Sequence, residues 1–359
     1  MTRIRAAICR EFSKPLTIET LDLRAPGPGE VEVTLAACAI CFSDISFMDG
    51  GWGGDLPAVY GHEASGHISA VGAGVTGYRN GDPVLVTLIR SCGACPTCAS
   101  GRPVLCTQPP NPGSPLSLPE GGTVAQGLDC GAFAEKVVVQ TSQIAPIPGP
   151  IPMDAAALLS CGVITGLGAA VNTAKVRPGE VVVVIGAGGV GLNAIQGARI
   201  AGASRIIAVD MTEEKLATAR AFGATDGVLA TGPKPWAEVK RIAGRGADVV
   251  LVTVGAISAY DTGTRYLANG GRLVGVGMPH SGAKSTWEPV IFTYTGNAML
   301  GSNMGDTVLV RDIPWIADLY HQGRFKLDEL ISGRWKLEQI NEAIADTRSG
   351  AARRNVIIF

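Results

Sequence analysis

Charge is scarce in this chain, at 17% of 359 residues, and aromatic residues are scarcer, at 5%. Scarce charge excludes the charge-rich, apolar-poor composition of a disordered chain, and 46% hydrophobic residues provide ample material for a core. Neither sign of charge is in excess. Thirty basic residues stand against thirty-one acidic ones, the formal net charge is −1, and no long run of either sign occurs. A nucleic-acid or anionic-membrane partner therefore has no electrostatic support. No apolar run of the roughly 18 residues that a membrane span needs is evident. The N-terminal stretch MTRIRAAICREFSKP also lacks the apolar core of a secretion signal. These absences lead us to expect a cytoplasmic protein.

Glycine and cysteine are the residues present in quantity, 48 and nine respectively. In a reducing compartment nine cysteines point to metal or catalytic chemistry rather than to disulfides. The chain is about twice the usual domain length, which implies two domains. Up to about residue 150, short β-like runs such as Val31 to Ala36 and Val84 to Leu88 are broken by Gly/Pro clusters at 26–29, 50–54 and 109–115. After Pro178 the texture changes. Near-continuous apolar runs at 181–185, 205–209, 227–230, 248–254, 272–276 and 298–300 alternate with helix-like stretches at 190–201, 213–222, 236–243 and 258–268. Strands covered on both faces and joined by helices build a parallel sheet, here a doubly wound α/β domain of six strands. From about residue 304, amphipathic helices at 313–322 and 337–348 precede a β-like ending at 355–359, and this tail matches neither texture.

Gly186-Ala187-Gly188-Gly189-Val190-Gly191 fits G-x-G-x-x-G between a strand and a helix, and Asp210 ends the next strand. The glycines let a pyrophosphate approach the backbone and the helix N-terminus, and the carboxylate can accept hydrogen bonds from both ribose hydroxyls. Asp210 would repel a 2′-phosphate, and no Arg follows it in Asp210-Met211-Thr212, so the pattern favours NAD over NADP.

Cys92, Cys95, Cys98 and Cys106 form C-x2-C-x2-C-x7-C, a spacing that gathers four thiolates and closes the tetrahedral shell of a structural Zn²⁺. An iron–sulfur cluster is the competitor, but its fourth cysteine follows after three residues and precedes a proline, whereas Cys106 precedes Thr107. Cys41, His62-Glu63 and Cys161 are also ligand types, yet their spacing alone does not join them. On its own Cys161, at the end of an Ala/Leu helix, reads as a packing residue.

The ordered combination changes that reading. Gly61-His62-Glu63 with Gly66, the four-cysteine lobe, Cys161-Gly162-Val163-Ile164-Thr165-Gly166 and the Gly186 loop with Asp210 resemble the zinc-dependent medium-chain alcohol dehydrogenases over essentially the whole chain. The resemblance implies a mainly-β, GroES-like catalytic domain (1–162 and 304–359) carrying the structural-zinc lobe, and a Rossmann domain (163–303). It implies a catalytic zinc on Cys41, His62 and Cys161, hence two Zn²⁺ per chain, with the fourth position open to water or substrate. Asp44 is expected to orient His62, and Glu63 to sit near the metal, paired with Arg354. Thr165 and Lys215 are expected at the nicotinamide and the adenosine ribose, and Arg354 among the residues that serve the cofactor. Trp52, Leu88, Leu128, Met278 and Asn303 are expected to line an apolar substrate channel.

The implied reaction is hydride transfer between NAD and a primary alcohol or aldehyde, aryl or allylic ones included. The proton leaves through Ser43, and Ser46 stands where many relatives carry a relay histidine, so a water is expected there. Phe42 stands where many carry a cation on the pyrophosphate, so faster NADH release is expected. A thiol-dependent formaldehyde dehydrogenase, acting on the glutathione or mycothiol adduct, shares these motifs but needs a polar or cationic channel mouth. A non-catalytic nucleotide-binding relative is the reading from another class. A homodimer is expected, with a tetramer as the alternative.

Overall fold

Val181–Ile185 is buried at every residue, as a run of four valines and an isoleucine requires, and it lies at the centre of a six-stranded sheet. A computed structural model describing residues 1–359 divides into two compact units, Met1–Cys161 with Val308–Phe359, and Gly162–Thr307. The seam differs slightly from the one that sequence texture suggests. Gly162 and residues 304–307 belong to the second unit, not to the first.

In the second unit the strands lie in the order Asp226–Leu229, Arg205–Asp210, Val181–Ile185, Ala247–Val252, Leu267–Gly275 and Ala298–Gly301, all parallel. This is the doubly wound order, and its direction reverses between the first and fourth strands in sequence, where such sheets bind ligands. The fifth strand begins at Leu267, inside the stretch read as helix; the helix ends at Gly263 and a single 3₁₀ turn, Thr264–Tyr266, leads into the strand.

The first unit is mainly antiparallel. Thr2–Cys9, Thr17–Leu23, Leu116–Ser117, Thr123–Gln126 and Ala58–Val59 close a small barrel. A second sheet runs Ile144–Pro146, Pro83–Val86, Glu63–Val71, Glu30–Ala39, Arg354–Ile358 and Ile331–Lys336, with Lys136–Gln140 also paired to Glu30–Ala39. The tail that fitted neither texture thus completes this sheet. Its register sets Ala39 opposite both Glu63 and Val356, which gathers the segments before Cys41, at Glu63 and around Arg354.

The helix expected to stop at Cys161 does not stop. Met153–Leu158 continues through a π turn, Leu159–Val163, then Ile164–Gly168, then a second π turn, Ala169–Thr173. The stretch Met153–Thr173 is long and apolar enough to cross a membrane, which corrects the reading that no such run exists, but residues 155–170 are buried within the protein.

Candidate metal and dinucleotide sites

Asp44 organises the first site. It is the third residue of the helix Phe42–Met48, and its Oδ2 accepts the Cys41 N–H at 3.1 Å, fixing the backbone of the residue that caps the helix. Its Oδ1 accepts the Gly61 N–H and the His62 Nδ1–H, both at 2.9 Å. One fully buried carboxylate therefore sets the position of Cys41 and the orientation and tautomer of His62. Gly61 has to be glycine: its φ is +92°, and a Cβ there would lie 2.6 Å from the Phe133 nitrogen.

With Nδ1 committed, His62 Nε2 is buried without a hydrogen-bond partner. The ligand atoms of Cys41, His62, Glu63 and Cys161 lie within 4.8 Å of one another, all buried. An orphaned imidazole nitrogen facing two sulfurs and a carboxylate is the donor set of a Zn²⁺ site, so the residues fit the metal that the resemblance implied. The hydrogen bond between the two thiols holds Cys41 well below an ordinary thiol and Cys161 well above it, so one thiolate is favoured already. Burial drives the His62 imidazole toward its neutral form, but the charge and hydrogen bond of Asp44 and the negative charge of Cys41 together prevail and raise it. Burial raises Glu63 to about 7 against the pull of Arg354. Arg354 Nη2 donates to Glu63 Oε2, and its guanidinium is buried in the first unit. This is the pairing with Glu63 that the resemblance implied.

The four-cysteine lobe is built from backbone N–H···S contacts. Cys92 Sγ accepts from Ala94 and Cys95, and Cys106 Sγ accepts from Cys92, at 3.3–3.5 Å. The four sulfurs lie within 4.8 Å of one another, and Cys95 and Cys106 are 3.8 Å apart, close to the about 3.8 Å edge of a tetrahedron with 2.3 Å metal–sulfur bonds.

In the second unit the Gly186 loop runs into the helix Gly189–Ile200, which no side chain caps, so its first amides face outward from the end of Val181–Ile185. Asp210 is buried and accepts the Ala187 and Met211 N–H groups, one on each oxygen, at 2.6 Å. Lys215 Nζ lies 3.9 Å from it. Thr165 is buried in Ile164–Gly168, its hydroxyl 3.7 Å from the Met304 sulfur. Sequence reasoning missed Thr253, whose hydroxyl donates to the Ile185 and Gly186 carbonyls and braces the loop; its place just past a strand end at the reversal of order was the available signal.

The residues expected at the substrate separate into two groups. Trp52, Leu88 and Leu128 are half-buried in the first unit, with Trp52 edge-on to Phe47 at 5.1 Å, and Met278 and Asn303 are exposed in the second. Ser43 and Ser46 are half-buried on the Asp44 helix, and Phe42 is 58% exposed.

Comparison with known proteins agrees with this geometry. Residues 27–149 match the alcohol dehydrogenase GroES-like domain, and residues 189–322 match the zinc-binding dehydrogenase domain. A Mycobacterium tuberculosis protein assigned as alcohol dehydrogenase D is 36% identical, over 98% of this chain and 99% of its own length. An alcohol dehydrogenase zinc-binding domain protein from Burkholderia ambifaria superposes with a TM-score of 0.95 at 32% identity, covering 100% of this chain and 99% of the other. Benzyl alcohol dehydrogenase from Acinetobacter calcoaceticus superposes with a TM-score of 0.94 at 30% identity, covering 100% of both.

Proposed function

The chain belongs to the zinc-dependent medium-chain alcohol dehydrogenases, and from that premise we propose that it transfers hydride between NAD and a primary alcohol or aldehyde, aryl or allylic ones among them. The observation that carries this reading is the buried cluster of Cys41, His62 and Cys161, with His62 Nε2 directed at the two sulfurs and no hydrogen-bond partner of its own. A zinc ion held there supplies Lewis acidity that favours the alcohol losing its proton. Ser43 Oγ takes that proton first and passes it on, with a water serving at Ser46 as the next carrier. Asp44 keeps His62 in the Nε2-binding tautomer throughout. Asp210 places a negative group where NADP carries its phosphate, which supports NAD. Leu88 and Leu128 supply an apolar wall suited to an aryl or alkyl body, in keeping with the benzyl alcohol relative. None of the nine cysteines is in a disulfide, the state proper to a reducing cytoplasm, where we place the enzyme.

One observation favours the thiol-adduct reading as the second. Beside Leu128, a recess of about 380 Å³ is lined by Asp55, Arg90, Asn111, Ser114, Gln126 and Asp129. Arg90 Nη2 meets Asp129 Oδ1 at 2.8 Å, while its Nε is buried with no partner. Arg90 among carboxylates and amides makes this recess polar, the character that the thiol-adduct reading asks of a channel mouth.

The test is nucleotide reduction followed at 340 nm, with NAD and NADP in parallel, over free primary and aryl alcohols and over formaldehyde with glutathione or mycothiol. Turnover of free alcohols, at least about tenfold faster with NAD, is expected, a difference of about 1.4 kcal/mol. Activity confined to the thiol arm makes the second reading the correct one, and a preference for NADP refutes the role given to Asp210.

The same family reading carries a homodimer. Every residue of the edge strand Ala298–Gly301 is exposed, Met299 and Leu300 among them, and Trp287, Val290, Ile291 and Tyr294 extend the apolar surface. An open, apolar strand edge is completed by a second copy across a two-fold axis.

A further inference from the structure

Three successive residues of the second unit, Met304, Gly305 and Asp306, have left-handed backbone, with φ of 48°, 66° and 47°. Two of the three carry side chains, so the turn is strained and must be held by its surroundings. The hold comes from the second π turn, Ala169–Thr173. Asn172 Nδ2 donates to the Gly305 carbonyl at 3.1 Å, and the Thr173 hydroxyl meets Asp306 Oδ2 at 2.8 Å and Ser302 Oγ at 2.7 Å. Gly168 closes the fit, since a Cβ there would stand 2.3 Å from the Gly305 oxygen. The extra residue of the π turn rotates the end of the helix by about 100° around its axis, which brings Asn172 and Thr173 onto the face that meets the left-handed turn.

Strain held by three polar contacts needs an effect to match, and the turn has one within reach. It presses the Met304 sulfur to 3.7 Å from the Thr165 hydroxyl. A thioether can only accept, so in this contact the Thr165 hydroxyl is the donor and its oxygen keeps acceptor capacity. A hydroxyl so oriented is an acceptor, the complement of a carboxamide N–H₂.

We infer that Asn172, Thr173 and Asp306 are positioning residues for the nicotinamide end of the cofactor, acting through Met304 on the Thr165 hydroxyl. This rests on the reading of the chain as a nicotinamide-dependent enzyme. The Gly186 loop and Asp210 serve the adenosine and pyrophosphate half, so the two halves of the dinucleotide respond to different changes.

The full-length enzyme with Thr173→Val, Thr173→Ser and Met304→Leu provides the test. KM for NAD and kcat are compared with the inhibition constant of ADP-ribose, which lacks nicotinamide. Thr173→Val is expected to lower kcat/KM for NAD about tenfold with the ADP-ribose constant within about twofold of wild type. Thr173→Ser restores the hydroxyl and should recover most of the loss, and Met304→Leu, close in volume, should reproduce part of it. Parallel changes for NAD and ADP-ribose, or no change in either, overturn the inference while leaving the enzyme's cofactor in place. If the wild type binds neither compound, the cofactor reading itself has failed, and this inference falls with it.

Discussion

Asp44 shows how much of a site one side chain can carry. Its two oxygens receive the Cys41 N–H, the Gly61 N–H and His62 Nδ1, so two proposed ligands depend on one charge. Asp44→Asn keeps the volume but replaces an acceptor oxygen with a donor, and His62 then competes for a different tautomer. We expect it to lower zinc affinity at the Cys41 site about 10–100-fold, as loss of such a partner generally does. Metal content after equilibration with a graded chelator checks this, and the four-cysteine zinc serves as the internal standard. Equal loss of both metals, or of neither, would count against the role assigned to Asp44. At this scale the sequence was readable where motifs are short. The cysteine lobe stands out, while Cys41, His62 and Cys161, spread along the chain, are joined as proposed ligands only through resemblance to a family.

Among the elements, the cofactor helix follows its sequence pattern and the long helix does not. Gly191 packs against the loop that precedes its own helix: a Cβ would lie 1.8 Å from the Gly186 carbonyl oxygen and 2.9 Å from the Thr253 hydroxyl. Backbone cannot yield as a flexible side chain does, so Gly191→Ala must push the helix N-terminus away from the loop. A loss of NADH affinity of at least about tenfold, about 1.4 kcal/mol, is expected by fluorescence titration, and wild-type binding would refute the close packing. The long helix departs from its sequence pattern for a physical reason. Gly162, Gly166 and Gly168 look like helix breakers, but a glycine costs only about 1 kcal/mol within a helix, and burial of residues 155–170 outweighs it. The π turns leave no pattern in composition, so neither the placement of Cys161 in one nor the hold of Asn172 and Thr173 in the other is legible from sequence.

On the scale of the whole molecule, the open edge at Ala298–Gly301 should govern assembly. Leu300→Lys brings a like charge from each copy toward the two-fold axis and should raise the dimer dissociation constant at least about tenfold by sedimentation. A wild type that sediments as a monomer, or a variant indistinguishable from it, removes the dimer proposal.

The sequence alone determined the chemistry and the class of fold. The four-cysteine lobe, the glycine loop with its acidic partner and the Val/Ile runs are local, and local chemistry is written in residue types and short spacings. Tertiary structure decided what depends on register and distance: that the C-terminal strand brings Arg354 to Glu63, that Asp44 serves two ligands at once, and that a left-handed turn reaches Thr165. Each of these joins at least one pair of residues separated in the chain, and only the pairing of strands and the burial of helices brings them within hydrogen-bonding range.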